Sequence, residues 1–503
     1  MMPNKKNKVS LNPIMTLMIL IGLAILLSGI LALFGVGATN PAEGNWVAVE
    51  SLLSLRGIKY IFQSTVANFA SFTPLSMLII ILIGIGIMDK SGFLKTTFSL
   101  ITRKCQKKTI TFVLALICII SSIGGDLAYV VMIPLSALLF YYGRRNPLHG
   151  IVISFAALTC GTGLSIFKTS VDSSLDALTL DAAHILDSSY TLSYLGYFVI
   201  MSIAVFALAA VITYVAEKFS VNDVPRYEFK DEKKEFKLAK RDIRGLIFAG
   251  TFGIIYILIF IYNIIPGLPL SGNLLDYSQK LYIDKLFNPN SFFSQGFVFI
   301  ITIWFVILGL FYGLGSRSIK NSNDFCDYLT HSLDGIGRTI ILILLSSILI
   351  NIFKKTNIGI VVTALIGNLI SNCKFTGLPL LLIFFFGSAI ATILLPNTVN
   401  KWTILAPTCV PTLMNVGFSP EFIQVVFRFA EGMTYGLTPI MAYFVIYLAY
   451  MEKYNTSDSP IGIFKILNYQ KKYALATGAV LLILAIIWYL VGLPIGINVM
   501  PTI

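Results

Sequence analysis

Charge is scarce in this chain. Of its 503 residues only 12% are charged, while 56% are hydrophobic. A soluble globule carries about 25% charged residues. The three histidines, His149, His184 and His331, lie far apart and form no metal-binding spacing. The six cysteines (Cys105, Cys118, Cys160, Cys326, Cys373 and Cys409) include no CxxC pair and mostly fall in or beside apolar runs. They read as core residues, without support for a disulfide framework or metal site. A G-x-x-x-x-G-K-[ST] loop is missing, so ATP hydrolysis within the chain is not indicated. No nucleophile or metal constellation marks one face, which argues against a membrane enzyme. The net charge of +13 does not point to nucleic acid, because no soluble domain of useful size exists to bind it. Instead, Lys and Arg cluster at the ends of apolar runs, as cytoplasmic loops do.

What is present is a series of apolar runs near spanning length. The fold class is therefore an all-α polytopic membrane protein embedded in a lipid bilayer. Lys5, Lys6 and Lys8 precede the run from Pro13 to Gly35, which reads as a retained first helix with a cytoplasmic N-terminus. Residues 1–108 hold the N-terminal spans, with 37–60 as a polar external loop. Residues 109–216 form a first repeat: a hairpin turning at Gly124-Gly125-Asp126, then a helix from Asn146-Pro147 interrupted near Thr159–Gly163. Within it, 173–190 reads as a polar external stretch. Residues 217–245 are a charged cytoplasmic linker, and 246–356 carry the middle spans. Residues 357–452 form a second repeat: a hairpin turning at Leu395–Trp402, then a helix from Ser419-Pro420 interrupted around Gly432, Gly436 and Pro439. The Ser419 hydroxyl is expected to cap that helix, with Pro420 in its first turn. Residues 453–503 add a basic loop and the last span, leaving the C-terminus outside. The hairpin arms are short for the roughly 20 residues a span needs. They read as re-entrant, which is tolerated only where protein or water covers the backbone. The sum is about nine transmembrane helices plus two hairpins entering from opposite faces. That inverted-topology repeat is the build of many secondary transporters, with the site at mid-membrane.

Few residues are left to carry chemistry. Arg428 and Glu431 share a helical face inside an apolar run, where each charge costs about 2.5–3.5 kcal/mol on insertion scales. Arg428 suits a bidentate grip on a substrate carboxylate; the alternative is a structural Arg428–Glu431 pair. Asp126 either holds Na⁺ or a proton at the first tip, or caps the second arm. Asn397, Thr398 and Asn400 offer oxygens and amides to a hard cation, or simply close the second hairpin. Lys401 is expected to snorkel or pair. Trp402 either stacks on an aromatic ligand or anchors at the interface. Asp172 lies past the first helix break and is a candidate proton carrier. Asp176 and Asp181 follow it, where external loop charge is the plainer reading.

The stretches Gly125–Leu135, Asn146–Ile151, Lys401-Trp402 through Ala406-Pro407, Ser419–Glu421 and Ile487–Pro494 resemble the AbgT family. These are bacterial p-aminobenzoyl-glutamate transporters and antimetabolite exporters. The resemblance runs over nearly the whole chain. It implies a homodimer of nine-span, two-hairpin protomers in the bacterial cytoplasmic membrane. It also implies coupling to a Na⁺ or H⁺ gradient, no other cofactor, and a folate-fragment cargo or sulfonamide-type drugs moved outward. The family's functional aspartate, tryptophan, proline and arginine fall on Asp172, Trp402, Pro420 and Arg428. The family's aspartate three residues after the arginine is Glu431 here, and its serine before Lys-Trp is Val399. Its Ser-Ala-Asn in the first interrupted helix reads Gly163-Leu164-Ser165. On this basis Asp172, Trp402, Pro420, Arg428, Glu431 and Asn397 are the expected substrate contacts. Asp126, Asp172, Thr398 and Asn400 are the expected ion contacts.

Overall fold

A computed structural model describes residues 11–164, 166, 168–220, 223–229, 236–280, 282–288, 290–457 and 459–503. Lys5, Lys6, Lys8 and Ser165 lie outside the described residues. The first helix, Pro13–Leu33, starts where a capping residue and a proline coincide: the Asn12 side chain accepts from the Ile14 amide at 3.0 Å, and Pro13 needs no partner for its nitrogen. Among the described residues, nine helices are long and apolar enough to cross a bilayer. Seven match spans read from the sequence. The other two, Lys107–Gly124 and Gly377–Leu394, are the first arms of the two helix–turn–helix pairs. The two interrupted helices, counted as spans from the sequence, are built of halves too short to cross alone.

The loops are more helical than the sequence suggested. Residues 37–60 contain a short antiparallel ribbon, Gly37–Thr39 with Trp46–Ala48, and the start of a helix, Leu55–Ala70. Two basic or polar connections hold the helices Phe93–Lys104 and Ser322–His331. The stretch expected to be external and polar after Asp172 is instead the helix Ser170–Ala183. It buries Asp172, Leu175, Thr179, Ala182 and Ala183 along one side. Helical spacing of those side chains, at intervals of three and four, overrides the polar composition.

Burial sorts the helices into two groups. In Lys240–Ile264 only Gly245, Ala249 and Gly253 are buried. They sit four apart, and this strip of small residues lets Phe292–Ser316 pack close along one side. Pro147–Cys160, by contrast, is buried at every position, and Pro420–Thr434 at every position but Met433. These two are the first halves of the interrupted helices. The first breaks at Gly161 and resumes at Ser170; the second gives way to a 3-10 turn, Tyr435–Leu437, and resumes at Phe444.

Packing around the breaks follows one rule twice. The first arm of each helix pair, Lys107–Ile120 and Gly377–Leu394, packs on the first half of its own interrupted helix. The second arms, Leu127–Tyr142 and Thr398–Met414, also reach the second half of the other interrupted helix, Phe444–Lys453 and Ser170–Ala183 respectively, although Leu127–Tyr142 packs most extensively on the first half of its own, Pro147–Cys160. The breaks themselves touch. A Cβ on Gly163 would stand 2.4 Å from the Arg428 carbonyl oxygen, and one on Gly432 would stand 2.5 Å from the Cys160 carbonyl oxygen. Only glycine permits so close a backbone crossing.

Candidate functional site

The crossing holds the buried charge. Glu431 is fully buried, and both of its oxygens are occupied. Its Oε1 accepts from Lys401 Nζ at 2.9 Å and from the Thr398 hydroxyl at 2.6 Å; its Oε2 accepts from Arg428 Nη1 at 2.6 Å. Lys401 is also fully buried, and it donates to the Thr392 hydroxyl at 2.8 Å. Arg428 reaches the other interrupted helix. Its Nη2 donates to the Thr162 carbonyl at 2.7 Å and lies 3.8 Å from Asp172 Oδ1. Arg428 Nε has no acceptor among the described residues. Asp172 closes the chain in a capping box: its Oδ2 accepts from the Thr169 amide at 2.9 Å and the Thr169 hydroxyl at 2.7 Å.

Two cations and two carboxylates thus stand in one row, Lys401–Glu431–Arg428–Asp172. A lone charge at this depth would be very costly, and pairing plus hydrogen bonding is what makes the set tolerable. The row ties together the second helix pair and both interrupted helices. The pairing read as the structural alternative for Arg428 is present in the fold, as is the pairing expected of Lys401.

Trp402 makes its polar contact with a different set of residues. It is fully buried, 4.4 Å by ring centroids from Phe427 and 6.4 Å from Phe384. Its indole N–H donates to the Thr179 hydroxyl at 2.9 Å. Thr179 donates to Gln424 Oε1 at 2.5 Å, and Gln424 Nε2 donates to Asp176 Oδ1 at 2.8 Å. Asp176 in turn pairs with Lys168 at 2.5 Å. Trp402 is therefore neither an interfacial anchor nor an open ring face. It is a packed residue at the end of a polar relay, and Asp176 is a paired group rather than loop charge. Asp181 is exposed.

The remaining candidates separate. Asn397 caps its helix, accepting from the Asn400 amide at 2.9 Å. The closure reading thus accounts for its side-chain oxygen. Asn400 is exposed. Pro420 occupies the first turn as expected, but the Ser419 hydroxyl does not cap it; that hydroxyl donates to the Met500 carbonyl at 2.7 Å. Eight residues on, Arg428 lies about 12 Å up the helix, so Pro420 is not brought to the charge row. Asp126 makes no side-chain capping bond to its helix. It lines a cavity of about 180 Å³ with Asn68, Thr73, Asn351 and Tyr443. Among the described residues no cation pairs with it, and in place of a helix cap its carboxylate accepts a hydrogen bond from the Tyr443 hydroxyl. No cluster of three His, Cys, Asp or Glu side chains capable of holding a metal occurs among the described residues.

Sequence reasoning missed Thr392, the Thr162 carbonyl, Thr179 and Gln424. A signal for two of them existed. Thr179 lies seven residues after Asp172 and Gln424 four before Arg428, so each shares a helical face with a flagged charge.

Fold and site together define a polytopic helical membrane protein whose two interrupted helices cross at a buried, charge-balanced row. The family model described as the AbgT putative transporter family matches residues 5–503, and the chain belongs to that family. It is a transporter, not an enzyme. It is 26% identical over 495 residues to the p-aminobenzoyl-glutamate transport protein of Escherichia coli strain K12, covering 98% of this chain and 95% of that one. Among solved structures it is similar to the Alcanivorax borkumensis YdaH transporter, with 24% identity, a TM-score of 0.49, and 97% of this chain and 100% of that chain covered. It is also similar to Neisseria gonorrhoeae MtrF, described as an antimetabolite efflux pump, with 26% identity, a TM-score of 0.48, and 98% of each chain covered.

Proposed function

We propose that this protein is an ion-coupled secondary transporter of p-aminobenzoyl-glutamate-like aromatic dicarboxylates, working as a homodimer in the bacterial cytoplasmic membrane. The observation that carries this reading is the contact between the two helix breaks, with Arg428 bridging them. Interrupted helices meeting at mid-membrane are the device by which such carriers expose a site alternately to each side. The contact that each helix pair makes with the second half of the other interrupted helix supports reading them as re-entrant hairpins of an inverted repeat. The cargo class is drawn from the Escherichia coli relative. Arg428 then offers its unpartnered Nε, and shares its guanidinium between the resident carboxylates and the cargo's.

The coupling ion is assigned to Asp126. Asp172 and Glu431 are already balanced by Arg428 and Lys401, whereas Asp126 faces a small polar cavity without a cation. It can therefore take Na⁺ or a proton without breaking an existing pair. Thr398 has its hydroxyl committed to Glu431, which makes it a weaker ion ligand.

Proteoliposome uptake of labelled p-aminobenzoyl-glutamate, under imposed Na⁺ or proton gradients, tests both parts. Accumulation should follow one of the two gradients, and Asp126→Asn should abolish accumulation while leaving exchange of cargo down its own gradient. Uptake indifferent to both gradients would overturn the coupling. Drug accumulation assays with sulfonamides in cells expressing the protein separate outward from inward transport.

A further inference from the structure

A large cavity lies away from the helix crossing. It has a volume of about 1220 Å³ and opens among Ser91–Arg103, Tyr141–Arg144, Phe236–Asp242 and Tyr312–Ser318. All four segments follow or precede spans on the basic, cytoplasmic side. Six cations line it: Lys95, Arg103, Arg144, Lys237, Arg241 and Arg317. Among the described residues the one carboxylate in the wall, Asp242, is already engaged. It accepts from the Ala239 amide at 3.0 Å and from the Tyr312 hydroxyl at 3.5 Å, and lies 3.8 Å from Arg241 Nε.

A positive rim by itself is what any cytoplasmic face shows. Two further features set this cavity apart. Arg144 and Arg317 both have left-handed backbones, with φ of 53° and 63°. A large side chain rarely sits there, and glycine would fit without cost. Both lie just beyond the ends of different helices, Leu127–Tyr142 and Phe292–Ser316, and both line this one cavity. Hydroxyls are interleaved with the charge: Thr96 and Tyr312 share a hydrogen bond of 2.7 Å across the wall, and Ser318 donates to the Ser91 carbonyl at 2.9 Å. Guanidinium forks with hydroxyl neighbours suit phosphate oxygens.

We propose that this cavity is a binding site for a phosphate-bearing anion of two or more negative charges. It holds that anion between the middle spans and the second arm of the first helix pair. Two sources share the chemistry: the headgroup of an anionic phospholipid at the inner leaflet, and a soluble phosphate compound. Basic pockets between helices at this level are suited to lipid headgroups.

The test uses the full-length protein in nanodiscs. Inorganic pyrophosphate is titrated in discs of phosphatidylcholine, and lipid retention is measured by native mass spectrometry after reconstitution with cardiolipin. Saturable pyrophosphate binding identifies a soluble source, and retained cardiolipin without pyrophosphate binding identifies a lipid one. Either should weaken at least tenfold in Lys95→Gln/Arg317→Gly, where glycine relieves the left-handed backbone and so preserves folding. Lys95→Arg should retain binding. A measurement on the unmodified protein guards against a misfolded variant: acetylation of Lys95 and Lys237 should slow at least threefold with the bound anion. Absence of both ligands, binding indifferent to the double variant, or unchanged acetylation would each overturn the proposal.

Discussion

Glu431 is the residue on which most of the buried charge converges. Removing one partner of such a set leaves a charge stranded, which typically costs about 3–5 kcal/mol, whereas removing both can be nearly neutral. Lys401→Met should therefore lower the melting temperature in detergent strongly, and Lys401→Met/Glu431→Met should recover much of the loss. If the double variant were as unstable as the sum of the singles, Lys401 and Glu431 would not be acting as a pair. Trp402→Phe makes a different prediction. It keeps the packing on Phe427 but removes the indole N–H that the Thr179 hydroxyl accepts, leaving the bond from Thr179 to Gln424 in place, a loss of about 1 kcal/mol. Because the ring is enclosed, KM for p-aminobenzoyl-glutamate should stay within about twofold of wild type while kcat falls. At this scale the sequence disclosed which charges lie at depth, because an ionisable group inside an apolar run is conspicuous. It did not disclose their partners. Thr392, Thr398 and the Thr162 carbonyl are ordinary groups whose role arises only when separate elements meet.

The interrupted helices were legible as elements. Proline after a polar residue marked both starts, and glycine clusters marked both breaks within a few positions. What misled was composition: the polar stretch after Asp172 reads as a loop until its period is counted, and Leu55–Ala70, Phe93–Lys104 and Ser322–His331 hide among charges for the same reason. The number of spans came out at nine by either route, yet two members differ, because length alone favours a continuous first arm over a broken helix. The crossing of the breaks yields the sharpest prediction. Gly432→Ala places a methyl group against the Cys160 carbonyl, and Gly163→Ala places one against the Arg428 carbonyl. Overpacking of this kind costs about 1–3 kcal/mol. Each variant should lower thermal stability and reduce transport, whereas Gly250→Ala, with open space around it, should do neither.

Across the whole molecule, the middle spans and the crossing have different surroundings. Lys240–Ile264 buries only a narrow strip, so most of its surface faces lipid or another copy of the chain. Single cysteines at Ile254 and Leu258, both exposed on this helix, should cross-link between protomers if that face forms the dimer contact. Failure there, with a dimer still seen by native mass spectrometry, would move the contact elsewhere.

The four charges of the central row add to zero. A rearrangement that carries Lys401, Glu431, Arg428 and Asp172 together through the bilayer therefore does no electrical work against the membrane potential, which otherwise acts at about 2.3 kcal/mol per elementary charge per 100 mV. Voltage would bear on the carboxylate of Asp126, on its ion and on the cargo, and the row itself would add nothing to the voltage dependence of the empty frame.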